Sequence, residues 1–127
     1  MSFEEAEVLR ERAYAFLRNA KRLFEEREFD LAAFSVEQFF QLILKYKLLV
    51  KTGTYPRTHS IVRLLRVLDD AASGRGLASL IDSEIMILTK VEDAYVISRY
   101  FPRRYEEKEV KQLIEFADKF EKVIRNV

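Results

Sequence analysis

Three groups of residues have types and spacings that could do chemistry. The first is a set of polar side chains inside an otherwise apolar stretch, Glu37, Gln38, Gln41 and Lys45. Gln38, Gln41 and Lys45 are three and four residues apart, so a helix carries them on one face. They read either as the single wet stripe of that helix or as the polar lining of a groove between helices. The second group is His59 with Arg57 and Thr58, in a Pro-x-Thr-His context typical of a helix start. The third is Arg99, Tyr100, Phe101, Pro102, Arg103, Arg104 and Tyr105. Three arginines among aromatic rings make a local basic patch, able to grip phosphate by bidentate hydrogen bonds and to stack on a base. The alternative for this patch is structural: Arg99 closes a helix on its last carbonyls, and Arg103 and Arg104 face Glu106, Glu107 and Glu109.

Other chemistries have little to draw on. The chain has one histidine and no cysteine, which excludes multi-histidine metal sites, disulfides and thiolate catalysis. Ser60 follows His59 directly, but neighbours in sequence need not face each other, and no third group is in place to orient a base. Neither a Walker loop nor a GxGxxG turn occurs. No metal and no cofactor is expected.

The elements that must position these residues are helices. With 3 Gly and 2 Pro in 127 residues, turns are few and elements long. The stretch from Phe29 to Gly53 is apolar on nearly every face, as expected of a helix at the centre of a bundle. Before it, Ala6, Leu9, Ala13, Phe16, Leu17, Ala20, Leu23 and Phe24 predict a first helix over Phe3–Arg27, capped by Ser2. Asp30 suits the N-cap of the second helix, with Phe29 packing on Phe34, and Gly53 suits its left-handed end. The short link makes helices one and two an antiparallel hairpin.

A loop from Thr52 to His59 leads to a third helix, Ser60–Ala72, capped by Thr58 or Ser60 and burying Ile61, Leu64, Leu65 and Leu68. Ser73–Gly76 is a second loop, the most flexible place expected. A fourth helix runs from Leu77 to Ser98 or slightly beyond, with Leu77, Leu80, Ile81, Ile85, Leu88, Val91 and Tyr95 on its inner face. A fifth, Glu106–Asn126, carries Val110, Leu113, Ala117, Phe120 and Ile124 at alternating spacings of three and four. The chain is therefore expected to be all-α, an up-and-down bundle of four to five helices in a single domain over residues 1–127.

The 22 basic and 21 acidic residues nearly cancel, so a basic site must be local. The acidic N-terminal segment does not read as a secretory signal, and Glu37, Lys45 and Lys47 argue against a membrane span in the apolar stretch. A cytoplasmic location is the expectation.

These features together resemble the HEPN domain (higher eukaryotes and prokaryotes nucleotide-binding), of the small stand-alone prokaryotic or archaeal type. The resemblance covers essentially the whole chain. It is carried by Glu37, Gln38, Lys45, Leu48 and Leu49 in the second helix, and by Thr58, His59, Ser60, Ile61, Leu64 and Leu65, where Ser60 stands for the usual acid. Arg99, Tyr100 and Pro102 match the family's Arg-Tyr-Pro with Phe101 inserted. The resemblance implies a fold similar to the helical domain of kanamycin nucleotidyltransferase. It implies frequent homodimerisation and pairing with minimal nucleotidyltransferases, often as toxin–antitoxin systems. Many members are metal-independent RNases with an Arg-x4–6-His motif. Here the corresponding positions after Arg99 are Arg104, Tyr105 and Glu106, so that motif is absent.

The first expectation is accordingly a binding module for a nucleotide, RNA or a nucleotidyltransferase partner, with Gln38, Lys45, His59, Arg99, Tyr100, Arg103 and Arg104 as ligand-binding residues. The second is an RNase toxin using Arg99, Tyr100 and His59. The third is an assembly subunit whose role is dimerisation.

Overall fold

Long amphipathic segments joined by short links fold here into six helices, in a computed structural model that describes residues 3–72 and 76–127. They are α1 (Phe3–Glu25), α2 (Phe29–Thr52), α3 (Ile61–Ala71), α4 (Leu77–Ser83), α5 (Ile85–Tyr100) and α6 (Glu107–Arg125). Ser2, expected as a cap, and Ser73, Gly74 and Arg75 of the expected second loop lie outside the described residues.

α2 is the centre of the bundle and packs against α1, α3, α5 and α6. Its apolar surround has the cause expected: Ala32, Ala33, Val36, Phe39, Phe40, Leu44 and Leu48 are wholly out of solvent. Phe40 stacks on Phe116 and Phe120 of α6, with ring centres 5.7 and 4.5 Å away. Tyr14 meets Phe39, and Asn19 Nδ2 donates to Ser35 Oγ, so α1 and α2 run antiparallel. α6 runs back along α1, tied by Tyr14 Oη donating to Glu121 Oε2 (2.7 Å) and by the Lys21–Asp118 ion pair. α1, α2, α5 and α6 thus form an up-and-down core, with α3 and α4 inserted between α2 and α5. No helix among the described residues is long and apolar enough to cross a membrane.

The α1–α2 link is tighter than an Asp30 cap requires. Arg27 takes a left-handed conformation (φ 61°), and Glu28 N–H reaches back to Leu23 O, a Schellman closure of α1. Glu28 takes the N-cap position of α2 without a side-chain cap bond. Asp30 is already inside the helix, and its carboxylate accepts the Tyr105 N–H at 2.7 Å, tying α2 to the lead-in of α6. Phe29 packs edge-on against Phe24 (5.6 Å) rather than on Phe34. Gly53 ends α2 in the left-handed conformation expected (φ 83°).

The expected fourth helix is two helices, so the bundle has six. The break is at Glu84 (φ −117°, ψ 20°), whose N–H bonds Leu80 O. α4 packs on α3 as well as on α5, and the change of direction turns Ile85 outward, 38% exposed, where an unbroken helix would bury it. Leu77, Ile81, Leu88 and Val91 keep the expected inner face.

Candidate functional site

The polar minority of α2 is only partly in contact with water. Glu37 is wholly buried and Gln41 nearly so, and Gln38 and Lys45 are half-buried. Together with Phe34 and Leu42 they floor a cleft of about 310 Å³, walled by His59 from the α2–α3 link and by Tyr95 and Arg99 from α5.

Helix periodicity puts Phe34, Gln38, Gln41 and Lys45 on one side of α2. His59 is brought in by the start of α3. Ser60 caps that helix, its Oγ accepting from Arg63 N–H at 3.1 Å. The same hydroxyl donates to Glu92 Oε1 of α5 at 2.7 Å, and Val62 N–H donates to that oxygen too. A carboxylate at a helix N-terminus is favoured by the aligned peptide dipoles, so Glu92 clamps α3 to α5. Gln41 Nε2 donates to His59 O at 2.6 Å and fixes the link from the α2 side.

The His59 ring stacks on Tyr95 with centres 4.2 Å apart, and Tyr95 Oη lies 3.3 Å from His59 Nε2. Arg99, one turn on, also lies against Tyr95. Its guanidinium is 4.3 Å from that ring centre, 5.2 Å from Phe34 and 4.8 Å from Tyr100, and its Nε donates to Tyr95 O. Lys45 Nζ is 5.2 Å from the Tyr55 ring. Among the described residues neither Lys45 nor Arg99 has a carboxylate within ion-pair distance; the ion pairs use other cations. Aromatic faces hold both cations in place without neutralising them.

Beneath the cleft, Glu37 accepts from Gln38 Nε2 (2.8 Å) and Gln41 Nε2 (3.0 Å). Burial pushes its carboxyl up to about 7, against the pull of the two amides and of Lys45 and Arg99. Burial also lowers Lys45, which Glu37 partly offsets. Gln41 Oε1 is the one buried side-chain polar atom of the described residues without a partner.

The basic patch expected over Arg99–Tyr105 is divided in space. α5 ends at Tyr100 and Phe101 is extended, which carries Arg103 to the first turn of α6. There it makes two hydrogen bonds to Glu109, at 2.9 and 3.2 Å, as the structural alternative for that patch had it. Arg104 is exposed, and Tyr100, 71% exposed, flanks Arg99 outside the cleft lining. Gln38, Lys45, His59 and Arg99 are the site residues that the fold gathers in one place.

Glu37, Phe34 and Tyr95 join them, although the sequence assigns Phe34 and Tyr95 to packing. A carboxylate flanked by Ala33, Phe34 and Phe40 at helical spacings was the signal available for Glu37. A second cavity of about 500 Å³ shares His59 and Tyr95 with the cleft but is lined by Glu92 and Asp93 and carries no arginine or lysine.

In comparisons with known proteins, a family model described as HEPN domain matches residues 6–127, nearly the whole chain. Neither the curated proteins nor the solved structures contain a significant match.

Proposed function

This chain belongs to the HEPN domain family, and from that premise we propose that it is a binding module whose cleft takes the phosphate of a nucleotide or of RNA between Lys45 and Arg99. The observation that carries this reading is a pair of cations without carboxylate partners among the described residues, held against aromatic rings at one cleft. Lys45 is half-buried and Arg99 exposed, and charged donors of both kinds make short, strong hydrogen bonds to phosphate oxygens. The exposed ring of Tyr100 beside Arg99 offers a face for a base.

Titration of the protein with AMP and with a short single-stranded RNA, followed by amide NMR shifts, tests this. Lys45→Ala and Arg99→Ala should each weaken binding about tenfold or more. Arg104→Ala, outside the cleft, should leave it unchanged. Equal binding by all three variants sinks the reading.

One observation favours a second reading, a metal-independent RNase. His59, the single histidine, lies against the same Tyr95 ring as Arg99, although the two make no hydrogen bond to each other. A base and a cation at one phosphate site are what cleavage by an RNA 2′-hydroxyl needs. RNA cleavage abolished by both His59→Gln and Arg99→Ala would replace the binding module with this enzyme. Binding without cleavage retires it.

The reading includes a homodimer. Met86, Val96 and Tyr100 share one face of α5 by their spacing, and all are exposed, as is Phe101 just beyond. Such a stripe suits a second copy of the chain, with a nucleotidyltransferase as the alternative occupant.

A further inference from the structure

Glu37 is the most deeply buried carboxylate among the described residues, and it has no cation within ion-pair distance. Neutral amides hold its oxygens. The charged and titratable side chains of the cleft above it are Lys45 on its own helix, Arg99 and Tyr95 on α5, and His59 in the α2–α3 link. Lys45 and Arg99 are the cations whose fields reach it. With the cleft empty, they favour its ionised form.

An anion between Lys45 and Arg99 would change that balance. It would use the same two cations and set a second negative charge over a carboxylate that water cannot reach. Like charges set close together disfavour each other, the more so when one of them is out of water. A proton on Glu37 removes the conflict.

The amide that already contacts Glu37 also carries a buried acceptor without a donor. The Gln41 amide cannot be turned over, because its Nε2 donates to His59 O and a reversed amide would set two oxygens against each other. Its Oε1 is therefore left buried without a donor. That oxygen belongs to the same amide group that already contacts Glu37. A carboxyl O–H on Glu37 would supply the donor that Oε1 lacks.

We propose that the cleft takes up its anion together with a proton, that Glu37 is the group that holds the proton, and that ligand affinity is therefore gated by pH around neutrality. This rests on the reading of the cleft as a phosphate site. Burial already brings Glu37 to about 7, so both of its states are within reach near neutral pH. By linkage, a ligand that raises this value further binds more tightly as pH falls.

The probe should carry a charge that does not itself titrate near neutrality. A 2′-O-methyl ApA dinucleotide has one phosphodiester charge throughout this range and cannot be cleaved through a 2′-hydroxyl. Affinity for the native protein should be about tenfold tighter at about pH 5.5 than at about pH 8.5. Calorimetry in buffers of different ionisation enthalpy should show net proton uptake on binding to the unmodified chain, a readout that needs no variant.

Glu37→Gln, which copies the neutral state, should bind at both pH values as the native protein does at the lower one. His59→Gln should keep the pH dependence. Binding with no proton uptake, or a pH dependence kept by Glu37→Gln and lost by His59→Gln, overturns this inference and leaves the phosphate site standing. No binding at any pH overturns both.

Discussion

Glu37 and Glu109 show how one residue type is tuned in opposite directions by its surroundings. Arg103, the Glu106 N–H and Lys90 hold Glu109 down at about 2, so the stability it contributes is present above the ordinary carboxylate range and fades as pH falls toward 2. Glu37 is raised from 4.5 to about 7 by burial. The folded state then binds the proton more tightly than the unfolded chain does. Its favourable contribution is full below about 4.5 and is lost as pH climbs through 7, at a cost on the order of 3 kcal/mol. In urea unfolding, Glu37→Gln should therefore gain on the native protein by on the order of 2 kcal/mol between about pH 5 and about pH 8. A stability difference that does not change with pH would show that Glu37 is solvated. The same burial leaves this residue open to the charges above it: Lys45 and Arg99 both pull its value down.

At the scale of elements, the site depends on how α3 begins. Ser60 Oγ accepts from Arg63 N–H and donates to Glu92, which accepts from Val62 N–H as well. This places His59 against Tyr95. Ser60→Ala should cost about 1 kcal/mol, the usual loss for an N-cap. Glu92→Gln should cost a similar amount, because it weakens charge-assisted bonds to the helix start. Since the two residues share one network, the double variant should lose clearly less than the sum of the single losses in denaturant titrations. Strict additivity would mean that the cap and the clamp act separately. Ser60 was legible as one of two candidate caps, with Thr58, whereas Glu92 sits thirty-two residues on, and no local pattern connects it to Ser60. The break at Glu84 is similar. No Pro or Gly marks it, and Leu77, Ile81, Leu88 and Val91 keep a continuous helical spacing through it, and α4 on the near side of the turn packs on α3.

For the whole molecule, α1, α3, α5 and α6 bury α2 on almost every side, and the largest apolar side chains left in solvent include Met86 (85% exposed) and Phe101 (58%). Light scattering should give twice the 15.0 kDa chain mass for the native protein, if a second copy covers the α5 stripe. The paired change Met86→Glu and Phe101→Glu should return it to the mass of one chain without changing helix content. A native protein of one chain mass at high concentration would discard the homodimer and leave the stripe to another partner. The dinucleotide affinity of the paired variant would also show whether the cleft works within one chain.

The sequence alone determined the all-helical class, the central place of α2, the left-handed stop at Gly53 and the inner faces of α3 and α6. All of these follow from periodicity and from conformational preferences that act over a few residues. It also named Gln38, Lys45, His59 and Arg99, through spacing and family resemblance. Only the tertiary structure decided that these four share a cleft, that Arg103 is taken by Glu109, and that Glu37 and Gln41 of the polar stripe are buried while Gln38 and Lys45 line a groove beside α5. Burial is a property of what packs against a residue. The helices that cover Glu37 and Gln41 lie far away in sequence, so a pattern confined to α2 reads equally well as a wet face or as the floor of a groove.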